Sequence, residues 1–388
     1  MLSIRTLAGT CAAALCGLAN AATYVDVPVT GARDHAFGPN GMLYITAGAK
    51  LHRYDTATCQ LLPPIALGQQ LVGVDVSIDG RFVAVADRAV ENGKVHVYVY
   101  DGFGSRLPRK VEYPADFGEN GSFMVAWMAD SSLLISGSYS GSGWVPLRRY
   151  EPTPGTVTTI GRVQQNSMLA ASRDGMTAAI AESNISSGPV HAWDLDTTAI
   201  GASARMNWFA FEAAIDANGS RIVSPSYNGA YVYERVGNQL VETGRIGQYA
   251  EWGPLSAVFS PDAKRLVTAD YGWSYGVGAA QRGVKIYDAD SLTLLSTIDP
   301  YPFPWNGNHA LGQGRLTLSR DGHWLAATIN GAVRLYDVHE ELGTDRKPVS
   351  ACATKTPSAD SLRFERGLVE EIDRLLPRKV DAMGQFVE

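Results

Sequence analysis

Apolar and polar positions alternate in short blocks along most of this chain. Phe82-Val-Ala-Val-Ala86, Val95-His-Val-Tyr-Val-Tyr100 and Val284-Lys-Ile-Tyr287 are strand-sized, rich in Val, Ile and aromatic residues, and bounded by Asp, Gly and Pro. Such blocks predict β-strands, and helical periodicity is weak before residue 358. One order recurs: an apolar strand, a tight polar turn, a second apolar strand, then a strand ending on an aromatic-acidic pair. The turns are Gly38-Pro-Asn-Gly41, Ser77-Ile-Asp-Gly80, Met128-Ala-Asp-Ser131, Ser172-Arg-Asp-Gly175, Asp216-Ala-Asn-Gly219, Ser260-Pro-Asp-Ala263 and Ser319-Arg-Asp-Gly322. The pairs follow in step at Tyr54-Asp55, Tyr100-Asp101, Tyr150-Glu151, Trp193-Asp194, Tyr233-Glu234, Tyr287-Asp288 and Tyr336-Asp337.

Seven turns and seven strand ends in register predict seven four-stranded repeats. A single unit of this size cannot bury both faces, but radial stacking buries them and leaves only short edges. The predicted fold is therefore all-β, a seven-bladed β-propeller over residues 22–340. The last repeat lacks a fourth strand, and Thr23-Tyr-Val-Asp-Val-Pro-Val29 precedes the first repeat without a blade of its own. This segment is expected to close the ring as the missing outer strand. Residues 341–388 form a tail. There Leu362, Leu368, Val369, Ile372, Leu375 and Leu376 share one face at helical spacing, predicting an amphipathic helix over about 358–376 that ends before Pro377. The helix either docks on the propeller, binds a partner, or remains a loose tail.

Phe259-Ser-Pro-Asp262 with Arg265-Leu-Val-Thr268, and Leu318-Ser-Arg-Asp-Gly322 with Trp324-Leu-Ala-Ala327, resemble the bacterial YVTN/WD-repeat-like seven-bladed β-propeller superfamily. Tyr287-Asp288 and Tyr336-Asp337 match it too, and the resemblance covers about residues 22–338. It implies the fold. The same propeller hosts scaffolds, lactonases and electron-transfer proteins, so function has to be argued from the site.

The first residues change the picture of where the protein works. One basic residue (Arg5), an apolar run from Leu7 to Leu18 and a small-x-small site at Ala19-Asn20-Ala21 read as a secretory signal peptide over residues 1–21. Lipidation at Cys11 or Cys16 is the alternative. The mature chain is then expected in the periplasm or secreted, with no membrane span. Two cysteines remain, and Cys59 and Cys352 suggest one disulfide in an oxidising compartment; otherwise they are two thiols that never meet. Net charge is −6 and no Lys/Arg stripe tracks a phosphate backbone, so nucleic acid is not an expected partner.

In this topology the loops after the second and fourth strands of each repeat share one face, here called the top. Trp144, Trp208, Trp252, Trp273, Tyr275, Tyr301, Trp305 and His309 fall in those loops. Trp and Tyr offer large contact area at low entropic cost, so they suggest a ligand-binding surface; plain packing of long loops is the competing explanation. Asp34, His35, Glu212 and Arg315 are placed at the mouth of the central channel, with Arg315 expected to pair with Asp34. A hard cation needs several converging oxygens, and Asp34 and Glu212 lie on non-adjacent repeats, so no metal is expected. Nor do the histidines show a paired spacing suited to zinc, and no haem-attachment, nucleophile-elbow or phosphate-loop motif occurs. The reading is a monomeric, exported, non-enzymatic binding or scaffold protein without a cofactor, recognising a protein or small ligand on its aromatic top face. Two alternatives remain: a propeller hydrolase of the lactonase kind, and a supporting subunit of a periplasmic redox or envelope complex.

Overall fold

The computed structural model describes residues 22–102, 107–183, 185, 187–206, 209–226, 229–247, 254–270, 283–299, 316–329 and 331–344, with backbone only at 254, 255, 270 and 329. Strands are nearly all of the regular structure in the described chain, arranged as five four-stranded sheets and one of eight strands. The eight-stranded sheet is two four-stranded units touching through a single parallel pair, Ser203 with Gln239. In chain order the units span residues 32–66, 71–114, 119–164, 168–205, 214–246, 254–299 and 316–337, the last completed from elsewhere; they are called units one to seven below. Within units the strands run antiparallel, so four short strands meander from the centre outward.

The core lies between sheets. One apolar cluster joins units one and two through Leu51, Val74 and Tyr98, and another joins units two and three through Val97 and Trp127. The largest runs across units three to five around Trp193. Further clusters join five to six and six to seven. The last joins seven back to one through Leu43, Trp324 and Leu335. The ring is closed by this sequence of contacts. Each fully buried Val or Leu contributes roughly 1.5–3 kcal/mol, so each unit draws much of its stabilisation from its neighbours.

The expected closure is present. Tyr24–Val27 pairs antiparallel with the third strand of unit seven, Tyr24 opposite Tyr336 and Val27 opposite Val333. Arg334 bridges the joint, with Nε 3.0 Å from Asp26 and Nη1 3.2 Å from Asp299 of unit six. Its guanidinium lies 4.0 Å over the Tyr24 ring, and the Tyr336 hydroxyl donates to Asp299.

The repeated polar turns have a common cause. In Ser77–Gly80, Ser172–Gly175, Ser260–Ala263 and Ser319–Gly322 the serine hydroxyl donates to the aspartate two residues on, at 2.6 Å each time. The same hydroxyl accepts the backbone N–H five residues on, at 2.8–3.0 Å. The aspartate accepts a further N–H at 3.0–3.1 Å. The fourth residue takes a left-handed φ, 74° at Gly80 and 71° at Gly322, which explains the glycine there.

One short element had no sequence signal. His339–Leu342 forms a helical turn ending on Gly343, and Leu342 is buried against the core between units six and seven. The expected helix over about 358–376 lies outside the described residues, and among those described no helix is long and apolar enough to cross a membrane.

Candidate functional site

The first strands of all the units point their side chains at a common centre. Near the turn face they enclose a cavity of about 240 Å³, to which every unit contributes one ring position: Ala36, Asp75, Ala126, Ala170, Ala214, Val258 and Thr317. The wall is mostly methyl-sized. Asp75, its one charged ring member, is committed to the backbone: one oxygen accepts Val76 N–H at 2.9 Å and the other Trp127 N–H at 2.7 Å. Arg320 spans the turn face, donating to the carbonyls of Ser77, at 2.9 Å, and Ile78. Arg173 donates to the Arg320 carbonyl at 3.0 Å, so turns from units two, four and seven are tied together beneath the cavity.

Toward the top of the channel the predicted mouth residues take separate tasks. Asp34 is buried and its carboxylate accepts the Val74 N–H of unit two at 2.8 Å. His35 is fully buried and faces the other way. Its Nε2 lies 3.2 Å from the Ala326 carbonyl and its Nδ1 3.2 Å from the Thr328 hydroxyl, both in unit seven. Grouping Asp34 and His35 at one open mouth therefore needs correction: adjacent strand residues point to opposite faces, so each joins unit one to a different neighbour. Glu212 does line the cavity. Arg315 lies outside the described residues.

Of the expected top-face aromatics, Trp144 is described and 48% exposed. Trp208, Trp252, Trp273, Tyr275, Tyr301, Trp305 and His309 lie outside the described residues. The structure adds a residue that sequence reasoning missed. Phe117, in the loop between units two and three, is 88% exposed. Its neighbour Asp116 pairs with Arg162 at 2.7 Å, and Arg162 donates to the Trp144 carbonyl at 2.8 Å. The two aromatics thus belong to one linked rim.

That rim has a rigid mount. Glu119 and Arg148, both almost fully buried, form a two-pronged pair. Glu119 also accepts Asp116 N–H at 2.8 Å, while Arg148 donates to the Pro114 carbonyl at 3.2 Å and lies 4.6 Å over the Tyr113 ring. The loop that displays Phe117 is held at both ends by these bonds. A lone Phe in a polar loop offers the sequence no such signal, because its anchor sits 31 residues from it along the chain.

Beside the rim, the second and third strands of unit two extend into a long hairpin, Phe82–Glu91 and Lys94–Asp101, turning at Asn92-Gly93 with φ of 52° and 73°. Val90 at its tip is exposed. Bulges fall at Arg33 in unit one and across residues 87–89 in unit two, and bulges re-aim side chains. Burial, and secondarily the nearby Arg33 cation, pulls the Arg88 guanidinium below its usual pKa. Asp87 underpins this hairpin. Burial would raise its pKa, but His96 Nε2 at 3.0 Å and the Gln69 and Gln70 N–H groups at 3.0 and 2.8 Å outweigh it and hold it low. Ser122 is near but bonds the backbone carbonyls of Asp87 and His96, so these residues are a brace between units and not a nucleophilic triad.

No protein-family model matches this sequence, and no curated protein sequence matches it. Its structure does resemble solved β-propellers. It is similar to the Dos1 propeller (TM-score 0.58, 15% identity, 80% of this chain and 78% of that one). It is similar to a chain of the mitotic checkpoint complex (0.59, 14%, 87% and 98%) and to the Cps50 (Swd1) β-propeller domain of Myceliophteria thermophila (0.58, 11%, 81% and 98%). At such identities the likeness establishes the architecture, a β-propeller, and nothing narrower.

Proposed function

We propose that this chain is an exported, seven-bladed propeller of the YVTN/WD-repeat-like kind that serves as a monomeric, non-enzymatic docking platform for a protein partner. The observation that carries the reading is the rim: Phe117, 88% exposed, and Trp144, 48% exposed, on a loop and strand clamped by the buried Glu119–Arg148 pair. A large apolar side chain held out in water by a buried brace gains its return when a partner covers it. The neighbouring Arg33 and Arg88 favour a partner segment bearing carboxylates. One structural neighbour is itself a chain of a named complex, which agrees with this use of the fold. Export is supported by the leader pattern of residues 1–21, and a Cys59–Cys352 disulfide is part of the same proposal.

The test is in-cell crosslinking and pull-down of the full chain, the Phe117→Ala/Trp144→Ala variant, and a chain truncated after Thr356. A partner whose recovery falls at least about tenfold in the double variant, as expected for loss of an aromatic hot spot, places docking on the rim. Equal recovery from the double variant, or recovery lost only with the tail, overturns the rim as the docking site.

A further inference from the structure

At the outlet of the last sheet, three side chains converge that the docking reading does not use. His323 directly follows the Ser319–Gly322 turn, Asp337 ends the strand Ala332–Asp337, and His339 opens the helical turn His339–Leu342. One ligand-type atom from each lies within 4.8 Å of the others. His323 Nε2 is 3.5 Å from Asp337 Oδ1, and His339 Nδ1 is 2.5 Å from the same oxygen. The two imidazoles stack with centroids 5.1 Å apart and 11° between planes.

An independent observation points into this cluster. The His323 side chain is 7% exposed, and its Nε2 is buried with no hydrogen-bond partner. Buried ring nitrogens are nearly always satisfied, and one that is not calls for an explanation such as an ion.

We propose that His323, Asp337 and His339 bind a divalent transition-metal ion, zinc foremost, with a fourth position left for water or another donor. Two imidazole nitrogens and one carboxylate oxygen form a borderline donor set that suits zinc, whereas calcium and magnesium take oxygen donors. Bonds of about 2.0–2.1 Å at tetrahedral angles set donor atoms roughly 3.3 Å apart. His323 and Asp337 already meet that spacing. His339 has to turn back by less than about 1 Å on the same geometry, and its position in a four-residue helical turn beside Gly343 allows it. Its other ring nitrogen, Nε2, lies 3.9 Å from the exposed carboxylate of Glu340. Bound metal would fasten the helical turn His339–Leu342 to unit seven.

The test uses the full mature chain, freed of metal with a chelator and titrated with zinc chloride by calorimetry. Cobalt(II) absorption reads the coordination geometry. One equivalent should bind, zinc should raise the unfolding temperature, and cobalt should give the intense visible bands of a tetrahedral site. Affinity should fall at least tenfold in His323→Ala, His339→Ala and Asp337→Asn, and stay unchanged in His191→Ala, whose ring sits in a separate pair with Glu182. Circular dichroism checks that each variant is folded, and if His323→Ala is not, His339→Ala at the more exposed position decides. Absence of stoichiometric zinc binding to the folded wild-type chain, or undiminished affinity in a folded His339→Ala variant, overturns the proposal.

Discussion

On the turn face, four loops repeat one hydrogen-bond pattern with the serine-to-aspartate distance at 2.6 Å in each, whereas the described loops of the top share none. In each Ser-x-Asp turn the serine and aspartate side chains bond backbone N–H groups no more than five residues away. The top depends on distant partners: Glu119 on Arg148, Asp87 on the 69–70 backbone, Trp144 on Arg162. The difference teaches where variation is tolerated. A turn whose side-chain bonds are local can be copied around a ring, even where Arg173 and Arg320 add ties between turns. A surface that must be unique to one partner cannot be built that way, so its stability comes from buried long-range pairs, and its exposed groups are left for recognition.

This contrast can be broken most severely on the top. Arg148→Ala removes one half of a buried ion pair and strands Glu119, so it should cost about 3–5 kcal/mol in urea unfolding. It should also release the loop carrying Phe117. A loss below about 1 kcal/mol would mean that the pair is more solvated than its burial suggests, and the rim would lose its mount.

On the turn face the expected effect is smaller and repeats. Ser77→Ala and Ser260→Ala should each cost about 1–2 kcal/mol, from the lost hydroxyl bond and the N–H it leaves unpaired. The Ser77 and Ser260 turns are not bonded to each other, so the double variant should cost the sum of the two within about 0.5 kcal/mol. Marked non-additivity would show that the turns act together, against the picture of local bonding.

The smallest effect is the pH dependence. Asp79 is held below its ordinary 3.8 chiefly by the Ser77 hydroxyl. At Asp262 and Asp321 burial pushes upward, but the serine and backbone bonds prevail and the net shift is again downward. A carboxyl with a depressed folded pKa stabilises the fold fully above its unfolded value, and that stability is lost as pH falls through the folded value. The gap between wild type and Ser77→Ala should therefore be constant from neutrality to about pH 5, then narrow below about pH 4. A gap that widens on acidification would reverse the assigned direction.

Much of this architecture was legible in the residues. The Ser-x-Asp-Gly turns and Tyr-Asp strand ends announced repeated four-stranded units, because a turn that closes on its own backbone writes its whole chemistry into a few consecutive positions. Strands ending at Asp55, Asp101, Glu151, Asp194, Asp288 and Asp337 match the aromatic-acidic pairs, and only the strand Gly229–Val236 runs two residues past its pair. The ring Ala36, Asp75, Ala126, Ala170, Ala214, Val258 and Thr317 surrounds one cavity, since side chains in register along equivalent strands come to one height.

The candidate sites were less legible. Residue spacing suggested Asp34 and His35 as companions, yet strand alternation sends one toward unit two and the other toward unit seven. Phe117 carries no motif, and what makes it conspicuous is the distant Arg148 clamp. His323 and His339 stand 16 residues apart with a hairpin between them, so their meeting over Asp337 depends on the pairing of Trp324–Ile329 with Ala332–Asp337. The units, their turns and the strand that closes the ring could be read from the residues, because those rest on short-range hydrogen bonding and a period of two. Only the tertiary structure decided which polar groups meet, because sheet packing brings together side chains whose separation along the chain carries no chemical signal.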